Sequence, residues 1–193
     1  MKTLTLLFTF LISFPLALSA QSAEDVLQKV SVAMTAEQWE QVVSLFRQAI
    51  QLNADKSEMF YWTSVDKASS VGTKMAQELA FHYKTMRNYD KAYLFCKEVL
   101  QKNPNDVKWL AACAETEVCR GKEKDALLTY QKVLSLDVNH LAANIFVGNY
   151  YYLMAEQEKQ QLMRDYKKIS SPTRMQYARY RNGLSDVLTN SYS

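Results

Sequence analysis

Glycine and proline are scarce in this chain, at four and three of 193 residues. With so few breakers, and with little strand-like alternation of apolar and polar residues, an all-helical protein is expected. No glycine-rich phosphate loop is present: Gly72, Gly121, Gly148 and Gly183 are isolated, and Arg120-Gly121-Lys122 lacks the preceding glycine that a phosphate loop needs. The two histidines, His82 and His140, belong to no H-E-x-x-H or Cys/His metal spacing. Glu115 and Glu117 are two apart on a predicted helix and so face different ways. No catalytic site, metal site or cofactor is therefore expected. The three cysteines are an odd number, which leaves at least one unpaired. Cys113 and Cys119 stand about 9 Å apart along a helix, too far for a bridge. Cys96 with Cys113 stays open, beside the plainer reading of all three as small core residues. Charge is also nearly balanced: the formal net value is +3, and +2 once Lys2 is set aside with the leader. That is too little to imply nucleic acid.

What the chain does have begins with an apolar leader. Lys2 precedes a run from Leu4 to Leu16, and Ala17-Leu18-Ser19-Ala20 offers small residues for cleavage. The run is shorter than the ~20 residues of a membrane span and is interrupted by Pro15, so residues 1–20 read as a cleavable signal peptide. The exported protein is then residues 21–193, placed in the periplasm or outside the cell, in a Gram-negative-type envelope. At 48% hydrophobic and 22% charged, the full chain has the balance of a folded protein.

Its organisation is a repeat. At an offset of 34 residues, Leu79-Ala80 falls on Cys113-Ala114, Ala92 on Ala126, Leu94 on Leu128, Val99-Leu100 on Val133-Leu134 and Asn105 on Asn139. The matching residues are small or apolar, as helix packing requires. The period and this pattern resemble the tetratricopeptide repeat, a helix-turn-helix unit. The resemblance places units at 23–56, 73–106, 107–140 and, in degenerate form, 141–168. It implies a right-handed solenoid of such pairs ending in a single helix.

Between the first two units, residues 57–72 break the period. Met59-Phe60-Tyr61-Trp62 and Val65 are too apolar for a solvated loop, so a short helix across the seam is expected, with an aromatic contact surface as the functional alternative. Ser22 reads as a helix cap, Thr35 with Gln38 as a capping box, and Asn88 as the cap of a second helix. Nothing marks a turn near Ala155, so one long helix is expected from Ala142 to Lys168. Ser170-Ser171-Pro172 closes it and opens a terminal helix at 172–189, with Pro172 in its first turn. Matching Tyr192 to Tyr89 makes this the first helix of a fifth unit whose second helix is absent.

The resemblance also implies a concave groove lined by the first helices, fit for a peptide or protein segment. Its groove positions fall on Lys74, Gln77, Phe81 and Lys84 in the second unit. In the third they fall on Lys108, Ala111, Glu115 and Val118, and in the fourth on Ile145, Asn149 and Tyr152. Family members that clamp a carboxylate use Lys and Asn where Gln77, Phe81, Ala111 and Glu115 stand, so that mode is not implied. The function expected is a non-enzymatic scaffold or adaptor that binds a protein partner. The alternative is a glycan- or lipid-binding module built on residues 159–193, which carry net charge +5 interleaved with Tyr166, Tyr177 and Tyr180. Tyr177, Tyr180, Leu184 and Val187 form an apolar stripe there that could dock another protein or a second copy.

Overall fold

The computed structural model describes residues 22–191, with side chains to 189; the signal peptide assigned to 1–20 and the Tyr192 alignment lie outside them. Every regular element among the described residues is helical. The helices are α1 (Ala23–Thr35), α2 (Trp39–Leu52), α3 (Ala54–Ser64), α4 (Ser70–Thr85), α5 (Tyr89–Lys102), α6 (Val107–Cys119), α7 (Glu123–Leu136), α8 (Leu141–Lys167) and α9 (Arg174–Ser191). Antiparallel pairs α1/α2, α4/α5 and α6/α7 stack in order, each second helix leaning on the first helix of the next pair. The result is the solenoid of stacked helix pairs expected.

Each pair turns the same way. Glu37, Arg87 and Gly121 occupy the same repeat position and share a left-handed backbone, with φ of 54°, 57° and 70°. The next residue's N–H reaches back five residues, from Gln38 to Ala33, Asn88 to Tyr83 and Lys122 to Glu117, each at 2.9 Å. This closure satisfies carbonyls that a helix end leaves open. It also explains why the Thr35–Gln38 capping box does not form. Thr35 Oγ1 donates to the Ser31 carbonyl instead, and Gln38 makes no side-chain cap. Ser22 and Asp25 do form a box on α1, and Asn88 Oδ1 accepts from Lys91 N–H.

Helices within a pair approach closely because alanines line the contact. Ala80, Ala92, Ala114 and Ala126 are at most 3% exposed. A larger side chain at any of them would push its pair apart, at about 1–3 kcal/mol. Where Tyr83 stands in the second pair, the third carries Glu117, itself only 4% exposed. It accepts from Thr129 Oγ1 at 2.8 Å, so the buried carboxylate is satisfied. At the open end of the stack the logic reverses. Asp25 and Lys29 hold the positions of Met75 and Leu79, and of Trp109 and Cys113. The four apolar residues are buried under the preceding pair, whereas Asp25 and Lys29 face solvent. A terminal repeat is expected to be polar on that side.

The inserted helix α3 starts at Ala54 rather than Ser57, because Asn53 ends α2 and its Oδ1 accepts from Lys56 N–H. It lies against α1, α2 and α4. Tyr61 is 1% exposed, and the rings of Tyr61, Trp62 and Tyr83 surround Phe95 at 5.6, 5.5 and 5.8 Å. The aromatics of this insertion are therefore core rather than contact surface. Glu58 ties the same helix to α5 and α4, pairing with Lys91 at 2.8 Å and accepting from the Tyr83 hydroxyl. Burial opposes its charge, but bonds from Lys91, Tyr83 and Trp62 together hold the carboxyl below its ordinary value. Ser69 then caps α4, whose first residue, Ser70, lies three ahead of Thr73.

The fourth pair never closes. Helix α8 runs unbroken for 27 residues, about 40 Å, and Ala143 is its one fully buried residue. Gly148 holds the position of Ala80 and Ala114, but a Cβ there would meet nothing within 4 Å. Instead α9 packs back on the far half of α8, with Tyr180 stacked on Tyr166 at 4.3 Å and Gly183 against Leu162. Its first residue is Arg174: Thr173 Oγ1 accepts from Gln176 N–H while Gln176 Oε1 accepts from Thr173 N–H. That box moves the helix start past Pro172, which therefore lies outside the first turn.

Candidate partner-binding groove

The first helices of successive pairs, α4, α6 and the start of α8, border one open cleft of about 800 Å³. Its walls carry Phe81 and Lys84 from α4, Lys108, Trp109 and Glu115 from α6, and His140 and Ala142 from the start of α8. Ala80, Ala111 and Ala112 keep the space between them open, because alanine reaches no further than its Cβ. The Phe81 ring meets the Trp109 ring edge to face at 5.7 Å. Trp109 is 5% exposed and Phe81 54%, so the pair is anchored on one side and available on the other.

The charges are few. Lys84 Nζ donates to Glu115 Oε2 at 2.6 Å, bridging α4 and α6 across the cleft. Lys108 adds a second cation on the wall, in the first turn of α6. Asp106 caps that helix, its Oδ1 accepting from Trp109 N–H at 3.1 Å. His140 caps α8 through Nδ1, which accepts from Ala143 N–H at 3.3 Å. Such a surface can hold a chain segment by apolar contact and by charge.

Of the groove residues expected from the sequence, the cleft gathers Phe81, Lys84, Lys108 and Glu115, and Ala111 with them. Lys74 and Gln77 lie further toward the start of α4, and Asn149 and Tyr152 further along α8, none of them on its walls. Tyr152 and Ile145 remain exposed, at 58% and 54%. Trp109, Ala112, Val107 and His140 were not anticipated. Val107 and Trp109 flank a groove position, and His140 closes the third unit at the mouth of the fourth.

The terminal helix departs from the docking edge expected of it. Val187 is 5% exposed, turned inward against α8, and so is closed to a partner. Tyr180 and Leu184 are half-buried, Tyr180 by its stack on Tyr166. Tyr177 keeps 52% exposure, with its ring 6.3 Å from that of Tyr166. The tyrosines that could stack on a ligand are thus largely engaged in joining α9 to α8.

The cysteines divide. Cys96 and Cys113 are buried free thiols, pushed up to about 11 and about 12 by burial first of all. Cys119 is exposed, not a core residue.

The chain is 63% identical to a crystallised protein of Bacteroides ovatus ATCC 8483 described as a candidate protein-binding protein. That match covers 89% of this chain and 84% of the other, with a TM-score of 0.80. An Arabidopsis OM64 TPR domain overlaps it at 17% identity, 65% and 90% coverage and TM-score 0.38. A C-terminal TPR-containing domain from Plasmodium falciparum does so at 19%, 72% and 92%, and 0.43. No family model and no curated protein matches the chain.

Proposed function

This chain is a tetratricopeptide-repeat protein, and from that premise we propose that it serves as a non-enzymatic scaffold of the cell envelope, holding a protein segment in the cleft bordered by α4, α6 and α8. The observation that carries the reading is the Phe81–Trp109 pair over an alanine floor, with Lys108 beside it. Phe81, held by buried Trp109 and left half-open beside the cleft, has no packing role on its open side, and such aromatic anchors dominate binding surfaces. The described residues include no helix long and apolar enough to cross a membrane. Export therefore rests on residues 1–20, and mature material should begin near Gln21, which N-terminal sequencing reads directly. Between the two candidate docking surfaces the groove is preferred, since α9 turns Val187 and much of Tyr180 inward.

The test is crosslinking in the intact envelope followed by pull-down of the tagged protein, repeated with Phe81→Ala and with Lys108→Glu. Both side chains are exposed, so circular dichroism should be unchanged while a crosslinked partner disappears. A partner set identical in parent and variants would refute the groove as the binding surface.

A further inference from the structure

Charge is spread unevenly along this chain. Over 164–181 stand six basic side chains, Arg164, Lys167, Lys168, Arg174, Arg179 and Arg181, against one carboxylate, Asp165. The rest of 22–193 holds 16 Lys/Arg against 19 Asp/Glu, a net −3. The fold gathers the basic stretch in one place, the turn between α8 and α9 with the helix ends that flank it. That turn lies about 24 Å along α8 beyond Tyr151, whose hydroxyl accepts from Gln131 of α7. It is thus the end of a projecting helical hairpin, open to a flat surface. All six cations are exposed. Lys168 pairs with Asp165 at 2.9 Å and Arg164 donates to Gln161, but Lys167, Arg174, Arg179 and Arg181 have no ion-pair partner among the described residues. In the solenoid, by contrast, Arg47, Lys56, Lys84, Lys91 and Arg120 each bridge to a carboxylate of a different helix. Two apolar side chains stand among the unpaired cations: Met175 is 68% exposed and Tyr177 52%.

We propose that this turn docks end-on on an anionic phospholipid bilayer. Lys167, Lys168 and Arg174 meet the headgroup phosphates, while Arg164, Arg179 and Arg181 follow within about 10 Å, near the reach of charge in physiological salt. Met175 and Tyr177 enter the boundary between headgroups and acyl chains, where an amphipathic element buries its apolar side chains by about 5–10 Å. Those two residues favour a bilayer over an acidic polysaccharide, because a hydrated glycan offers an exposed methionine nothing to bury it. Attachment of this kind needs no spanning segment, and none of the described helices is long and apolar enough to be one. It goes beyond the groove reading and does not rest on it: the groove would hold a protein segment while the far end of α8 holds a membrane.

The test is co-sedimentation of the mature chain with vesicles of phosphatidylcholine alone, or of equal parts phosphatidylcholine and phosphatidylglycerol. Binding is expected to the anionic vesicles only, and should fall steeply with salt. Lys167→Gln with Arg174→Gln should weaken it about 25-fold, at about 1 kcal/mol for each basic residue near the surface. Lys97→Gln with Lys124→Gln removes the same charge from exposed sites on α5 and α7, and should change it little. Met175→Ser should cost about tenfold, and Met175→Leu should retain binding. Every one of these side chains is exposed, so circular dichroism should stay that of the parent. Sedimentation with neither vesicle, equal sedimentation with both, or equal losses in the two double variants would each overturn the proposal. So would indifference to Met175→Ser, or displacement from vesicles by polygalacturonate at matched charge, either of which would assign the turn to a soluble polyanion. Phe81→Ala, which tests the groove, should sediment like the parent, so the failure of one reading leaves the other intact.

Discussion

Two glycines with equally empty surroundings should respond to alanine in opposite directions. A Cβ at Gly121 or at Gly148 meets nothing within 4 Å, so neither substitution can clash. What differs is the backbone. Gly121 sits at φ 70°, closing the turn between α6 and α7, where an L-residue costs about 1–2 kcal/mol. Part of that is offset because alanine restricts the unfolded chain, by about 0.4–1 kcal/mol. The net expected for Gly121→Ala is a loss of about 0.5–1 kcal/mol. Gly148 lies inside α8, where alanine is the better helix former by about 1 kcal/mol. For a protein of this size each kcal/mol moves Tm by about 2–4 °C. Gly121→Ala should therefore melt about 1–4 °C below the parent and Gly148→Ala about 2–4 °C above it, with urea midpoints shifting alike at constant slope. Arg87→Gly supplies the reverse experiment: its φ of 57° should make glycine stabilising by about 0.5–1 kcal/mol. If Gly121→Ala melted no lower than the parent, or Gly148→Ala melted below it, left-handed strain would not be what distinguishes these positions.

The remaining expectations concern the core and its charges. Glu58 is held below its ordinary value of 4.5, so its contribution is complete above that value and lost as pH falls through the lower folded one. Urea midpoints measured through this acid range should fall less steeply in Glu58→Gln than in the parent; parallel curves would show that Glu58 does not carry the dependence. In the native protein an aromatic disulfide reagent should titrate one thiol, Cys119, with Cys96 and Cys113 reacting only on unfolding. Fast native reaction of all three would contradict their burial. Ala114→Leu, at 0% exposure, should cost about 1–3 kcal/mol by forcing α6 and α7 apart, and a neutral denaturation curve would count against close packing there.

Much of the architecture was legible before any coordinates. Every pair after the insertion starts within three residues of its repeat register, because the alanines and apolar positions that set the register are the ones the packing buries. Helix α8 was readable from an absence, since nothing after Gly148 interrupts its helix formers. Local capping was less transparent. Thr35 and Gln38 have the right spacing for a box, yet a left-handed Glu37 lets the backbone close the helix end by itself. Thr173 captured the start of α9 from Pro172 by pairing with Gln176.

The groove divides along the same line. That Phe81, Lys84, Lys108 and Glu115 line the inner side of first helices is what the resemblance to the tetratricopeptide repeat implied, once the 34-residue period, a property of neighbouring residues along one chain, had fixed the register. That they share a cleft with Trp109 and His140, while Lys74, Asn149 and Tyr152 do not, depends on how three helices far apart in sequence are set against one another. So does the fate of the stripe on α9. Its periodicity marks a face to be buried, but only the unbroken course of α8 decides that the face turns inward and takes Val187 with it. Helix formation is decided within a few turns of chain; which side chains meet across helices is decided by the angle and distance between them, and no local pattern encodes either.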